Sequence, residues 1–279
     1  MKSKGVPETI GVIGAGTLGI QIAAHLLSCG HKVIIKTRDP KRHPEIAARV
    51  ERVLSRYPDP SLGSLGMRIV HEYEDLSDCS MVIEAVSEDM LIKVEVLRAV
   101  EKVLPKNSFL FTNSSSISID ALGGQLEQPN KFLGYHLFNP VSKMGLVEII
   151  VGEHTGPPAL EGALSLAKDM RKEPVIVRNS PGFIVNRLLL WQINEAARMV
   201  TQGVSTIEDI DKAVRLGLNH PMGPFQLADL IGLDVCLSIL NTMEHDLGMP
   251  GYAPAPLIVE MVEKGRYGKK VGAGFYDYS

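Results

Sequence analysis

Short runs of apolar residues alternate with longer segments of helical periodicity through residue 178. Continuous apolar runs are typical of strands buried on both faces, and apolar positions three and four apart are typical of amphipathic helices. Alternating strands and helices predict an α/β doubly wound sheet. The predicted strands are 9–14, 32–37, 67–70, 81–86, 109–113, 131–138, 146–151 and 175–177, and the predicted helices are 17–29, 44–56, 89–103 and 158–171.

The pattern changes after the Asn-Ser-Pro-Gly sequence at 179–182. From there the periodicity is helical, and a strand-like run returns only at Phe275–Tyr278. We therefore predict a separate all-α C-terminal domain, with domains at 1–179 and 180–279. Its predicted helices are 183–202, 206–217, 223–247 and 254–264.

Composition narrows the classes of protein to consider. The chain has 279 residues, a formal net charge of −3 and no dense cluster of Lys and Arg, so we expect no nucleic-acid partner. No apolar run reaches the ~18 residues of a membrane-spanning helix, so we expect no membrane insertion and a cytoplasmic location. The three cysteines are far apart, and no His/Cys spacing is typical of a metal site. We therefore expect reduced thiols and no metal.

The sequence at 14–19 has the GxGxxG pattern between the first predicted strand and helix. Gly14 permits a tight turn, Gly16 permits close approach of a pyrophosphate, and Gly19 permits close packing of helix on strand. In this context the pattern indicates a dinucleotide site in a Rossmann-type sheet, with the phosphates at the helix N-terminus. The alternative is a simple glycine-rich turn. The predicted cofactor residues in this turn are Gly14, Gly16, Thr17, Leu18 and Gly19.

The end of the second predicted strand bears on the choice between NAD and NADP. An acidic residue there would bind the ribose 2′-hydroxyl of NAD, but this chain has Thr37 followed by Arg38. A small neutral residue next to a guanidinium suits a 2′-phosphate, so we favour NADP as the NAD(P) cofactor. Two alternatives stay open: Asp39 turns inward to bind the ribose, or Arg38 points into water.

A histidine and a glutamate lie on two successive predicted strands. A carboxylate at Glu148 could hold one ring nitrogen of His136, fix its tautomer and raise its basicity. Oxidation of an alcohol with loss of hydride requires such a base. A glutamate within an apolar strand is costly unless it is paired. From spacing alone, a purely structural histidine is an equally good interpretation.

The chain resembles the L-3-hydroxyacyl-CoA dehydrogenase family over nearly its whole length. The His-x-x-Asn-Pro sequence that starts at His136 and the Pro-Gly-Phe-x-x-Asn-Arg sequence at 181–187 are the most specific motifs. The resemblance implies a hydride transfer between NAD(P) and the 3-position of a 3-hydroxyacyl thioester. The other matching segments are 14–19, 82–88, 113–116, 146–148, 220–225 and 267–276.

The same resemblance implies catalytic roles for four residues. His136 is the general base in oxidation and the acid in reduction, and Glu148 orients it. Ser115 and Asn186 hydrogen-bond the substrate oxygen that changes between hydroxyl and carbonyl. The neighbouring Ser114 and Ser116 are close alternatives to Ser115, and each of the three serines could instead cap a helix.

Further cofactor contacts follow from the resemblance. Glu88 and Lys93 match positions that contact the nicotinamide-side ribose and phosphates. Asn139 matches a position near the nicotinamide and substrate, and Asn113 is placed with the cofactor-binding residues. The C-terminal domain is expected to form a homodimer and to close the substrate cleft.

One departure from the family concerns the carrier. The segment 42–68 is too short for the helical hairpin that grips the CoA nucleotide in the family, since only one helix is predicted there. An alternative is therefore a biosynthetic dehydrogenase of a hydroxyacyl or glyceryl unit bound to an acyl carrier protein. Two further alternatives are a dehydrogenase of a free hydroxy acid and a catalytically inactive binding protein with this fold.

Overall fold

The computed structural model describes residues 8–58 and 66–278. The chain divides into two compact units, Met1–Ser180 and Pro181–Ser279. Each unit has its own hydrophobic core, and the two units are described separately below. The predicted loss of the second hairpin helix falls mostly on residues 59–65, which lie outside the described residues.

The first unit is built on one eight-stranded sheet in the order β3-β2-β1-β4-β5-β6-β7-β8. Strand pairs are parallel except β6 with β7, which are antiparallel. This arrangement confirms the predicted doubly wound sheet. The strands are β1 (Thr9–Ile13), β2 (Lys32–Lys36), β3 (Met67–Val70), β4 (Met81–Glu84), β5 (Phe109–Thr112), β6 (Phe132–Leu137), β7 (Leu146–Val151) and β8 (Glu173–Arg178).

Five helices accompany the sheet. The apolar faces of the first, second and fifth pack into the sheet core, where full burial of each Ile or Leu side chain contributes about 1.5–3 kcal/mol. Four of the helices were predicted, and the short fourth one was not, because five residues are too few for a readable helical period. The helices are α1 (Thr17–Ser28), α2 (His43–Leu54), α3 (Met90–Val103), α4 (Ile119–Gly123) and α5 (Pro157–Asp169).

The second unit is helical, as predicted, but the single helix predicted at 223–247 is wrong. Gly232 interrupts it with a φ of +108°, and the two resulting helices are bent by 98°. Only glycine adopts such a φ easily, so this residue sets the corner. The helices are α6 (Val185–Thr201), α7 (Ile207–Gly217), α8 (Pro224–Ile231), α9 (Leu233–Leu247) and α10 (Pro256–Glu263).

The strand-like run at Phe275–Tyr278 does not form a strand. Its backbone instead donates to a buried carboxylate, with the N–H groups of Phe275 and Tyr276 each 2.9 Å from an oxygen of Asp229. The Tyr278 hydroxyl also donates to Asp229, at 3.0 Å. The apolar residues of this segment are therefore buried through a side-chain hydrogen-bond network rather than through strand pairing.

Two structural tests bear on the membrane and metal expectations. Within residues 8–58 and 66–278, no single helix is long and apolar enough to cross a membrane, and only the bent pair α8–α9 passes that test by length and composition. The same residues contain no group of three or more His, Cys, Asp or Glu side chains placed to hold a metal ion.

Candidate active site

The glycine turn between β1 and α1 has the shape that a dinucleotide requires. Gly14 has a φ of +104°, and a Cβ at Gly19 would overlap the Gly14 carbonyl oxygen. A Cβ at Gly16 would meet no described atom within 4 Å, so the space in front of this residue is open. The first N–H groups of α1 face no helical partner and carry the positive end of the helix dipole. The turn therefore fits a bound pyrophosphate.

A cleft of about 660 Å³ extends from this turn along the carboxyl ends of β1, β2 and β4. It is large enough for a substantial part of a dinucleotide. Five of the predicted cofactor residues line it, namely Gly14, Gly16, Thr17, Thr37 and Arg38. Leu18 and Gly19 follow in the first turn of α1, where Gly19 is buried and Leu18 packs against the core.

Thr37 and Asp39 make different contacts at the ribose end of the cleft. Thr37 is buried, and its backbone N–H donates to the Val70 carbonyl at 3.0 Å. Asp39 accepts a 2.9 Å hydrogen bond from the Lys41 backbone N–H at the start of a short 3₁₀ turn. Oδ1 of Asp39 therefore caps this turn, while Asp39 also lines the cleft, so a ribose contact by Asp39 stays an open alternative.

Four cationic side chains line the same end of the cleft. Lys36 is buried with its Nζ 3.7 Å from the centre of the Tyr73 ring, and burial is the main reason that its pKa is lowered. Arg49 donates to the Ala15 carbonyl oxygen at 3.3 Å beside the glycine turn. Sequence reasoning found only one of the four, because the others lie in β2, in the 3₁₀ turn before α2 and in α2, and converge only in the fold. The four are Lys36, Arg38, Arg42 and Arg49.

The predicted histidine and glutamate are direct neighbours. Antiparallel pairing of β6 with β7 places His136 opposite Glu148, and the His136 Nδ1 lies 2.7 Å from Oε2 of Glu148. Both side chains are buried, with Glu148 fully so. A carboxylate in this position fixes the ring tautomer and stabilises the imidazolium that forms on proton uptake.

The serine loop after β5 is organised by Glu88. Oε1 of Glu88 accepts the backbone N–H groups of Ser115 and Ser116, each at 2.8 Å, and the Ser114 hydroxyl at 2.6 Å. Burial opposes ionisation of Glu88, but Lys93 and these hydrogen bonds outweigh it and lower its pKa. The hydroxyls of Ser114 and Ser116 both donate to Glu88. Which of the three serines contacts the substrate stays a prediction.

A buried ion pair lies behind Glu88. The Lys93 Nζ lies 2.9 Å from Oε1 of Glu84 and 3.3 Å from Oε2 of Glu88, and it is 1% exposed. Glu84 also accepts from the Val86 N–H and the Thr112 hydroxyl, each at 2.6 Å. The structure thus places Lys93 beneath Glu88 rather than on the cleft surface. Sequence reasoning missed Glu84, although a charged residue ending an apolar strand was a usable signal.

The two predicted asparagines serve the backbone around His136. Oδ1 of Asn113 accepts from the Leu137 N–H at 2.9 Å, so this buried side chain holds β6 next to the catalytic candidate. Oδ1 of Asn139 accepts from the side-chain amide of Gln21 at 2.8 Å. Their roles as cofactor contacts stay predictions.

The remaining predicted catalytic residue belongs to the second unit. Asn186 is half-buried and is the second residue of α6. His136, Glu148 and Ser115 all belong to the first unit. Within the first unit, His136 and Glu148 are in direct contact, and Ser115 lies in the loop after β5, the strand next to β6.

Comparison with known protein families matches the chain over both units. Residues 9–180 match the model described as "3-hydroxyacyl-CoA dehydrogenase, NAD binding domain". Residues 182–278 match the model described as "3-hydroxyacyl-CoA dehydrogenase, C-terminal domain". Together the two models cover nearly all of the chain.

Individual relatives agree with the family models. A 3-hydroxybutyryl-CoA dehydrogenase of Clostridioides difficile is 39% identical over 97% of this chain and 99% of its own length. A probable 3-hydroxybutyryl-CoA dehydrogenase of Bacillus subtilis is 38% identical, over 97% of both chains. The crystal structure of (S)-3-hydroxybutyryl-CoA dehydrogenase from Ralstonia eutropha has a TM-score of 0.94 and 36% identity, and the match covers 98% of this chain and 100% of that one.

Proposed function

Because the chain belongs to the 3-hydroxyacyl-CoA dehydrogenase family, we propose that it interconverts a 3-hydroxyacyl-CoA and the corresponding 3-ketoacyl-CoA with an NAD(P) cofactor. The observation that carries this proposal is the buried His136–Glu148 pair on the sheet that also forms the dinucleotide cleft. The pair supplies a proton acceptor, and the cleft holds a hydride carrier. Both are needed to oxidise a secondary alcohol.

In this proposal His136 moves the proton and Glu148 keeps the ring in place. The imidazole takes the hydroxyl proton during oxidation and returns it during reduction, while Glu148 holds Nδ1 and offsets the positive charge. The substrate-side transfer is therefore assigned to Nε2. A bound nicotinamide would exchange the hydride with carbon 3 of the acyl group.

Ser115 and Asn186 complete the proposed reaction site. Each has a donor group for the substrate oxygen, whose negative charge increases during the reaction. The Ser115 backbone is fixed by its 2.8 Å hydrogen bond to Glu88. A donor whose position is fixed before the reaction stabilises developing charge without reorganisation, so the Glu88 network supports the assignment of Ser115.

We also propose a preference for NADP over NAD. Thr37 replaces the usual acidic ribose partner, the Asp39 carboxylate caps a turn, and four cations line that end of the cleft. Asp39 also lines the cleft and Glu45 pairs with Arg42 and Arg49, so Arg38 is the cation assigned to the 2′-phosphate. The preference would follow from electrostatic attraction at the ribose.

The carrier is proposed to be CoA, since the similar proteins carry CoA substrates in their names. An acyl carrier protein stays the second candidate, because its phosphopantetheine arm presents the same thioester without the adenosine phosphate. The segment expected to distinguish the two carriers falls on residues 59–65, outside the described part of the chain.

The second unit is proposed to pair with a second copy of the chain. An apolar groove of about 410 Å³ lies between α6 and α7, and several large apolar side chains of this unit are exposed. Apolar patches of this kind are typical of association surfaces. The exposed residues include Leu188, Trp191, Leu216, Leu218 and Leu230. Light scattering of the purified protein would show a dimer mass if this is right and a monomer mass if it is wrong.

One substrate panel tests the cofactor and carrier proposals together. Initial rates are measured with NADH and NADPH against acetoacetyl-CoA, an acetoacetyl carrier protein and free acetoacetate. We expect the highest kcat/KM with acetoacetyl-CoA and NADPH. Turnover of the free acid without turnover of either thioester would contradict the thioester proposal. Failure of every combination would favour the inactive-protein alternative.

A further inference from the structure

The side chain of Gln21 links the helix of the glycine turn to the loop that follows His136. Gln21 lies in the second turn of α1. Its Nε2 donates to Oδ1 of Asn139 at 2.8 Å, and its Oε1 accepts from the Val141 backbone N–H at 2.9 Å. One amide thus makes two hydrogen bonds to residues 118 and 120 positions away in sequence. Nothing in the family motif draws attention to this residue.

The loop that Gln21 contacts is fixed on its other side as well. Val141 is fully buried, and its carbonyl oxygen accepts from the Nζ of Lys172. The same Nζ donates to the Met144 carbonyl at 2.7 Å. Both backbone polar groups of Val141 are therefore held by side chains that are distant in sequence, one from α1 and one from the residue just before β8. These contacts hold the loop that follows His136 in place.

These contacts orient the side chain of Asn139. An asparagine amide offers an acceptor at Oδ1 and a donor at Nδ2, on opposite corners of one plane. Gln21 occupies Oδ1 as an acceptor, and Nδ2 makes no hydrogen bond to any residue that the structure describes. Asn139 is exposed, so its Nδ2 is available to a ligand. Reversal of the amide would offer an oxygen instead.

We propose that Gln21 is a positioning residue that fixes the Asn139 amide so that Nδ2 donates to a carbonyl oxygen of the bound ligands. The inference rests on the proposed function, in which two carbonyl groups meet near this loop. One is the carboxamide of the nicotinamide, and the other belongs to the acyl substrate. Both present the same acceptor chemistry, and separate KM values for cofactor and substrate distinguish them.

The Gln21→Glu substitution tests the orientation directly. The new carboxylate keeps an acceptor for Val141 but has no donor for Asn139, so the Asn139 amide turns and donates Nδ2 to it. The ligand then meets an oxygen where it needs a donor. We expect kcat/KM to fall about tenfold. The ligand loses one hydrogen bond, and its carbonyl oxygen then faces Oδ1 of Asn139, which is also an acceptor. The KM that rises identifies which carbonyl group Asn139 contacts.

Two further variants separate orientation from general damage. Gln21→Met removes both hydrogen bonds at similar length and lets the Asn139 amide rotate, so its loss should be smaller than that of Gln21→Glu. Gln125→Glu adds the same charge at an exposed residue whose Oε1 already accepts from Arg98. This control should leave the rates unchanged. Gln21→Met should melt at a lower temperature than Gln21→Glu, because it leaves the buried Val141 N–H without its acceptor, so a smaller rate loss in Gln21→Met cannot come from better stability.

The pH provides a readout that a structural role would not produce. Protonation of the new glutamate at low pH restores a donor for Oδ1 of Asn139. The ratio of Gln21→Glu to wild-type kcat/KM should therefore rise as the pH falls toward the glutamate range, near pH 4.3 in model peptides. The Gln21→Met ratio should stay flat over the same range.

The side-chain amide can also be observed without cofactor or substrate. In protein labelled with ¹⁵N-asparagine, the Nδ2 signal of Asn139 is identified by its loss in Asn139→Asp. We expect Gln21→Glu to move this signal downfield, because Nδ2 then donates to a carboxylate. An unmoved signal, or equal rate losses in Gln21→Glu and Gln21→Met at every pH, would overturn the inference. If wild-type protein turns over no substrate, the proposed function fails and the NMR result still decides the orientation.

Discussion

The ribose end of the dinucleotide cleft and the proposed reaction site, called the reaction end below, are built in different ways. At the ribose end, the charged groups are mostly exposed, and Arg42 pairs with exposed Glu45 across neighbouring turns. At the reaction end, the charged groups are buried, and Glu84, Lys93 and Glu148 have almost no exposed surface. Exposed charges interact weakly and are screened by salt, whereas buried pairs are strong only when both partners are present. Single substitutions at the ribose end should therefore change cofactor preference. At the reaction end, removal of one buried charge should also destabilise its partner.

The largest effect is expected at the reaction end, from Glu148→Gln. The amide can still hydrogen-bond to His136, but it no longer stabilises the imidazolium or fixes the tautomer. We expect kcat to fall by about 10³-fold with little change in the KM of the cofactor. Single-turnover absorbance measurements of NADPH oxidation provide the rate. A loss of less than about tenfold would show that the carboxylate is not needed.

The buried ion pair between Glu84 and Lys93 should make the effects of substitutions on the free energy of unfolding non-additive. Glu84→Gln leaves the Lys93 ammonium buried with only Glu88 nearby, so the free energy of unfolding should fall by about 3–5 kcal/mol. Lys93→Met should cost a similar amount, and the double variant should recover part of the loss. Urea unfolding of the four proteins gives the interaction energy. Additive losses would contradict the coupling.

The ribose end should respond to one substitution with a change of preference rather than loss of activity. Arg38→Asp adds the acidic residue that binds a ribose 2′-hydroxyl and repels a 2′-phosphate. We expect kcat/KM with NADPH to fall at least about tenfold, and the value with NADH to stay the same or rise. Arg171→Asp, an exposed charge reversal away from this cleft, serves as the control. Equal losses with both cofactors would contradict a role at the ribose.

The serine loop gives a pH-dependent contribution to stability. The folded state lowers the pKa of Glu88 below the unfolded value of 4.5. A lowered carboxyl pKa contributes stability that is complete above the unfolded pKa and is lost as the pH falls through the folded value. Wild type should therefore be more stable than Glu88→Gln by about 1–2 kcal/mol at pH 7, and the advantage should shrink below pH 4.5. A constant difference down to pH 3 would contradict this sign.

The smallest expected effect is that of salt. It should change the KM for NADPH, which depends on the ribose end, and leave kcat, which depends on the reaction end, nearly unchanged. Raising ionic strength from about 0.1 to 1 M shortens the Debye length from about 10 to 3 Å. The KM for NADPH should then rise several-fold, and kcat should change little. A parallel rise in the KM for NADH would show that the exposed arginines do not act on the 2′-phosphate.

Much of the fold could be read from sequence because it depends on local patterns. Continuous apolar runs gave all eight strands, and the glycine spacing gave the turn at α1. The break at Gly232 was missed, since the apolar periodicity continues across it and only the φ of +108° reveals the corner. The Phe275–Tyr278 run was assigned to a strand because Asp229 is 46 residues or more away in sequence.

The site was predictable where function depends on residue type and unpredictable where it depends on distant contacts. Two adjacent strands placed His136 and Glu148 together, so their pairing followed from chain order. Lys93 was placed by family motif at the cofactor, whereas the structure buries it against Glu84. Gln21 carried no signal, because its two partners lie about 120 positions along the chain.

The central claim is that His136 is the proton acceptor of the reaction, and its most direct test is chemical rescue of His136→Ala. Single-turnover rates are measured for wild type and variant, with and without added imidazole, after the melting temperatures are shown to be similar. We expect a loss of about 10³-fold that imidazole partly restores and that N-methylated analogues, which fit the space less well, restore less. A variant that keeps its rate within a few-fold of wild type would contradict the account.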